Sequence, residues 1–228
     1  MTNIDVTIPL EGGEYVSGVF SLPSRSAPAS GTAVAVAHGA GNDMTAPLIV
    51  SFAEGLGRAG FPALRFNFPY RERGKRAPDS QKTLEKTWRA VCRYLEEGVH
   101  CPVERIVAAG KSMGGRVASQ MTAGGSLPSA GLVFLGYPLH RPGNPEQLRD
   151  AHLYDIAVPM LFFAGTRDSL CHLERLREVL ERLKAPWRLE VIEGGDHSFN
   201  LPRSASLTEA EVRDNILQHT VEWLRQLP

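Results

Sequence analysis

Ser112 sits at the centre of Gly110-Lys111-Ser112-Met113-Gly114, directly after the apolar run Arg105-Ile106-Val107-Ala108-Ala109 and before a helix-compatible stretch from Gly115 to Met121. A serine on such a strand-to-helix turn is a nucleophile elbow, its hydroxyl exposed at the edge of a sheet. The outer glycines matter because side chains there would collide with neighbouring backbone, and the serine itself must adopt a strained conformation. In a chain with 22 glycines the pentapeptide is weak evidence by itself, so its context decides. Gly110-Lys111-Ser112 also spells the end of a phosphate-binding loop, but position 105 is Arg where that loop needs its first glycine, and the residues between form an apolar strand.

Two further strand ends carry the remaining chemistry. Asp168 follows the apolar run 158–164, and His197 follows the run 187–192, in the segment Glu193-Gly194-Gly195-Asp196-His197-Ser198-Phe199. Serine, then acid, then histidine is the chain order expected of an α/β-hydrolase. A serine hydroxyl is a poor nucleophile near neutral pH. His197 can take its proton during attack and return it to the leaving group, while Asp168 fixes the imidazole tautomer. The plainer readings are a helix cap for Asp168 and a structural hydrogen bond for His197. Asp196 is the rival acid, but adjacent side chains rarely face each other, and it reads as a turn former.

An acyl-transfer site also needs donors for the developing oxyanion. The N–H of Met113, first in its helix, is one. The second is expected from His38-Gly39-Ala40-Gly41 after the strand 32–37, with Ala40 favoured and Gly41 the alternative. His38 is expected to brace this loop. His140, after another strand, is a candidate pocket residue, with a structural loop role as the equal alternative. Arg71, Arg73, Lys75 and Arg76 form a basic cluster that reads as a solvated loop or as a rim attracting an anionic group. None of the 7 histidines falls at ligand spacing, so no metal and no cofactor are expected.

The elements that must hold these residues alternate along the chain. Residues 3–9 and 14–22 read as an antiparallel pair around Gly12-Gly13; 32–37, 62–68, 105–109, 130–135, 158–164 and 187–192 read as buried parallel strands. Helical patterns lie at about 47–59, 81–98, 113–123, 171–184 and 207–226. This predicts a doubly wound, mostly parallel sheet of about eight strands flanked by helices, whose ligands bind beyond the carboxyl ends of the strands. Ser24 to Gly31 is a short Ser/Ala/Pro loop.

With 228 residues, 43% hydrophobic and 22% charged, one domain spanning 1–228 is the simplest count. The 25 basic and 25 acidic residues cancel, which disfavours nucleic acid and anionic membrane as partners. No signal-peptide pattern or membrane-length apolar run occurs, and three cysteines without a C-x-x-C pair suit a reducing compartment, so a cytoplasmic protein is expected.

Ala37-His38-Gly39-Ala40-Gly41, Arg65-Phe66-Asn67-Phe68-Pro69-Tyr70, Gly110-Lys111-Ser112-Met113-Gly114-Gly115 and Gly136-Tyr137-Pro138-Leu139-His140 resemble the α/β-hydrolase superfamily. More narrowly they look like a small family related to dienelactone hydrolase that includes testis-expressed and NSL-complex-like hydrolases of animals. The resemblance implies a serine-hydrolase scaffold; Tyr70 in one of these segments, Arg71 of the basic cluster and His38 are further pocket or rim candidates. Some relatives are interaction proteins, and Ser at the elbow, where dienelactone hydrolase has Cys, means that enzyme's substrate is not implied. The short, proline-punctuated link from Tyr137 to Val158 leaves little or no cap and is expected to be only partly helical. The expected activity is cleavage of a small ester or thioester through an acyl-Ser112 intermediate. A weak or inactive interaction module, an acyltransferase or a peptidase are the alternatives, and a homodimer is left open.

Overall fold

A computed structural model describes residues 1–24 and 30–228; most of the Ser24–Gly31 loop thus lies outside the described residues. Eight strands form one sheet in the order β1-β2-β4-β3-β5-β6-β9-β10. β1 (Thr2–Pro9) and β2 (Tyr15–Leu22) pair antiparallel, and β2 is antiparallel to β4 (Ala63–Phe66). All other neighbours are parallel: β3 (Thr32–Ala37), β5 (Arg105–Lys111), β6 (Gly131–Leu135), β9 (Met160–Gly165) and β10 (Trp187–Ile192).

The central strands are continuously apolar because both faces of the sheet are covered. In β5, Ile106 and Ala108 join one core while Val107 and Ala109 join the other; β9 divides likewise, with Met160, Phe162 and Ala164 against Leu161 and Phe163. The first core is closed by α3 (Gln81–Glu96), α4 (Met113–Ala123) and α5 (Leu173–Leu180), the second by α1 (Pro47–Arg58) and α6 (Glu209–Arg225). Trp88 of α3 is fully buried, edge-on to Phe66 at 5.2 Å.

Local chemistry sets the helix ends. Ser80 caps α3 by accepting from the Thr83 N–H, and Thr208 with Glu211 forms a reciprocal capping box at the start of α6. α5 is shorter than the pattern 171–184 suggests. After Leu180 the chain tightens into bonds from Arg182 N–H to Val179 O and from Leu183 N–H to Leu180 O, and Pro186 disfavours helix at the residue before it. A short helix, α2 (Pro69–Glu72), follows β4.

The link from Tyr137 to Val158 differs from its expected form. It holds an antiparallel hairpin, β7 (His140–Arg141) with β8 (Asn144–Leu148), followed by a 3-10 turn at Ala151–Asp155. Pro142 and Gly143 occupy the turn, Gly143 with φ 70°, a conformation that proline-then-glycine favours. This strap is too small to cover the strand ends, so the site has no helical cap. Among the described residues no helix is long and apolar enough to cross a membrane, and no group of three or more His, Cys, Asp or Glu could hold a metal ion. Cys92, Cys101 and Cys171 are free thiols.

Candidate active site

Ser112 is the single residue between β5 and α4, with φ 49° and ψ −114°. A left-handed backbone at a residue with a side chain costs on the order of 1–3 kcal/mol and persists only where the surroundings enforce it. Here they do: a Cβ on Gly110 would lie 2.2 Å from Gly115 N, and one on Gly114 would lie 2.7 Å from His38 O. The glycines let β5, α4 and the 38–41 loop meet backbone to backbone. Ser112 makes no capping bond with its own helix. Its Oγ instead lies 2.8 Å from His197 Nε2.

On the other side of the ring, His197 Nδ1 is 2.8 Å from Asp168 Oδ2 and 3.0 Å from Oδ1. The Asp168 side chain is fully buried, and its Oδ1 also accepts the Leu170 N–H at 2.8 Å. A carboxylate at Nδ1 calls for the proton there, which leaves Nε2 as an acceptor for the serine hydroxyl. Asp196 turns away from the ring. Its Oδ1 accepts the Ser198 and Asn200 N–H groups at 2.7 and 2.9 Å, and its Oδ2 the Asn200 amide at 3.0 Å. Burial pushes its pKa up, and these bonds outweigh that and hold it below the usual range.

A family model described as the alpha/beta hydrolase domain matches residues 30–225. The chain belongs to that family. Among solved structures, this α/β-hydrolase is similar to a dienelactone hydrolase from Anabaena variabilis, at 21% identity over 99% of this chain and 98% of that one, with a TM-score of 0.77. It is also similar to XC6422 from Xanthomonas campestris, described as an α/β serine hydrolase without lid, at 21% identity over 100% and 96% and a TM-score of 0.75. Est1E from Butyrivibrio proteoclasticus matches at 16% identity over 97% and 99%, TM-score 0.74. At these identities the likeness is one of fold.

In this α/β-hydrolase, Ser112, Met113 and Ala40 line one cavity of about 390 Å³. Met113 is the first residue of α4, where N–H groups lack intrahelical partners. Gly41, with φ 75°, does not line that cavity. Nor do His38, Tyr70, Arg71 and His140. His38 is buried behind the 38–41 loop: the Phe68 N–H donates to its Nε2 at 3.2 Å, and its Nδ1 lies 2.8 Å from Gly39 O. Burial lowers its pKa to about 4, so it is a neutral strut. Tyr70, also buried, places its hydroxyl 3.3 Å from Gly39 O and 3.4 Å from Asn42 O, with its pKa pushed by burial up to about 12. Arg71 pairs with Asp43 at 3.0 Å and Arg73 with Asp79, while Lys75 and Arg76 are exposed. His140 is buried, its Nδ1 3.0 Å from Arg141 O and its ring edge-on to His172 at 4.8 Å.

Three residues near the site carry charge that the sequence reading did not use. Lys111, only 8% exposed, lies under the His197 loop; a side chain at Gly136 would meet its Nζ at 3.3 Å and the His197 ring at 3.7 Å. Burial lowers its pKa to about 8 against the opposing pull of Asp168 and Asp196. Arg116 and Arg149 line the Ser112 cavity. Arg116 was legible as the residue one helical turn beyond the serine. Arg149 reaches the cavity only because the β7–β8 strap folds back, and no local pattern signals that.

Proposed function

We propose that residues 1–228 act as one serine-hydrolase domain that cleaves a small carboxylic ester or thioester through an acyl-Ser112 intermediate. The observation that carries this reading is the continuous chain from Ser112 Oγ through His197 to a buried Asp168, each link 2.8 Å at its shortest. As Ser112 Oγ attacks the carbonyl carbon, His197 Nε2 takes the hydroxyl proton, and the buried carboxylate stabilises the resulting imidazolium. The carbonyl electron pair moves onto oxygen, where the Met113 and Ala40 N–H groups stabilise it. Collapse expels the alkoxide or thiolate, which takes the proton from His197. Water then repeats the sequence on the acyl-enzyme and releases the acid. Relatives of similar fold are described as a dienelactone hydrolase and a lidless serine hydrolase, which supports the same class of chemistry here.

A fluorophosphonate probe tests the reading directly. Wild type should gain one covalent label, and Ser112→Ala should gain none while keeping its circular dichroism spectrum. A folded Ser112→Ala that still labels stoichiometrically would place the nucleophile elsewhere. A folded wild type that neither labels nor turns over short esters would favour an interaction module.

A further inference from the structure

The cavity that Ser112 lines carries two arginines, Arg116 and Arg149, and one acid, Asp79. Arg116 stands one turn along α4 from the serine, and its Nη1 donates to Gln120 Oε1 at 3.2 Å. That same oxygen accepts from the Gln81 amide at 3.1 Å, which fixes the guanidinium on the cavity wall. Arg149 enters the wall from the end of the strap. Among the described residues neither guanidinium has a carboxylate within ion-pair distance. Arg149 instead has Arg116 and Arg141 for charged neighbours, and these, after burial, lower its pKa.

The nearby acids do not cancel this charge. Asp79 lines the cavity but is engaged by Arg73 and by the Tyr70 N–H at 2.7 Å. Glu85 accepts from the Gln81 amide at 2.9 Å and Asp150 accepts the Tyr154 hydroxyl at 2.6 Å, and neither is part of the wall. The amino end of α3, a helix of 16 residues, also opens here through Gln81, adding the positive end of its dipole. Two guanidiniums without a carboxylate partner among the described residues therefore line the cavity that Ser112 lines.

We propose that the ester or thioester cleaved at Ser112 carries a phosphate group, held by Arg116 and Arg149; this rests on reading Ser112 as the nucleophile. A phosphate monoester bears about −1.5 to −2 charge at pH 7, which matches two free guanidiniums, and its oxygens accept paired N–H bonds from each. A carboxylate brings half that charge.

The experiment has a kinetic arm and a binding arm. The kinetic arm compares kcat/KM for 2-acetoxyethyl phosphate and methyl 3-phosphonooxypropionate, which carry phosphate on the alcohol or the acyl half. The comparators are neutral 2-methoxyethyl acetate and the carboxylate 4-acetoxybutyrate. At least one phosphate ester should exceed both by roughly tenfold or more, and Arg116→Gln or Arg149→Gln should each remove most of that preference. Arg116→Lys should retain part of it, because the charge stays while the paired geometry is lost. Equal rates for phosphate and neutral esters overturn the proposal while leaving the serine-hydrolase reading intact. A carboxylate preferred over phosphate overturns it in favour of a monoanion.

The binding arm needs no turnover. By calorimetry, folded Ser112→Ala should bind at least one of the two phosphate esters, weakening as salt rises and with either arginine replaced. Absence of binding for both, or binding indifferent to both arginines, also overturns the proposal. Phosphate binding in Ser112→Ala without ester turnover by wild type would sink the catalytic reading and, with it, the proposal that the phosphate belongs to a cleaved ester.

Discussion

Gly165→Ala should damage the site without touching a reacting group. Gly165 ends β9 opposite Ile192, at the point where the Asp168 and His197 loops leave adjacent strands. Its φ is not in the left-handed region, so alanine is compatible with the backbone. The obstacle is space: a Cβ would lie 2.1 Å from Gly195 O and 2.9 Å from Asp196 O. Against an ordinary contact of 3.4 Å the first is short by about 1.3 Å, and backbone atoms on both sides must supply the difference. Much of that displacement falls on the segment carrying His197, because Gly195 O also accepts the Arg167 N–H at 2.9 Å and holds the loops together. A shift near 1 Å in a positioned catalytic group costs about 10²-fold, and overpacking a buried site costs about 1–3 kcal/mol. The expected variant is therefore folded at 25 °C, melts several degrees lower, and has kcat/KM for a short p-nitrophenyl ester reduced about 100-fold. Gly124→Ala is the control, since its Cβ would meet nothing nearer than 3.4 Å. A Gly165→Ala enzyme within about threefold of wild type would refute the claim that this contact sets the His197 position.

Asp168→Asn should lower ester turnover by about 10⁴, as the comparable change does in a characterised triad, whereas Asp196→Asn should act mainly on loop stability; steady-state kinetics giving the reverse order would exchange the two assignments. His38 supplies a pH test of stability. Its folded pKa of about 4 lies below the ordinary histidine value of 6.5, so the unfolded chain binds the extra proton first, and the stability contributed by neutral His38 is lost as pH falls from 6.5 through 4. The full loss is on the order of 3 kcal/mol. Denaturant unfolding from pH 7 to 4.5 should show a shallower decline in His38→Gln than in wild type, and parallel curves would remove His38 from the account.

Much of the sheet was legible because its central strands are apolar on both faces: the reading of 32–37 coincides with β3, and β5 begins at Arg105 as expected, whereas 187–192 coincides with β10 in extent but is not the buried strand expected, since β10 stands at the sheet's edge with only Ile192 buried. The strap was not, because Asn144-Pro145-Glu146-Gln147-Leu148 has no strand-like alternation and forms β8 only by pairing with His140 and Arg141. Ser112, Asp168 and His197 stand at strand ends, and the parallel topology carries those ends to one edge of the sheet. Tyr70 and Arg71 were harder to place. Neighbours in sequence, they face different partners, one buried behind the 38–41 loop and the other ion-paired to Asp43, and composition cannot distinguish a strut from a rim. Arg149 needed the folded strap itself.

The strap also separates two kinds of constraint on the chain. Ser112, Asp168 and His197 are fixed by parallel strands and close glycine contacts, so their spacing tolerates almost no change. Pro138 and Arg149 reach the same cavity from opposite ends of a short hairpin excursion that adds no strand to the main sheet but is anchored at its base, where Leu139 and His140 are buried and the His140 N–H donates to Leu170 O at 3.1 Å. Residues 141–149, exposed or half-buried, can therefore be exchanged or resized while the elbow keeps its register. Selectivity can drift there by loop replacement, and a laboratory graft of this segment alone is the economical way to retune what the cavity admits.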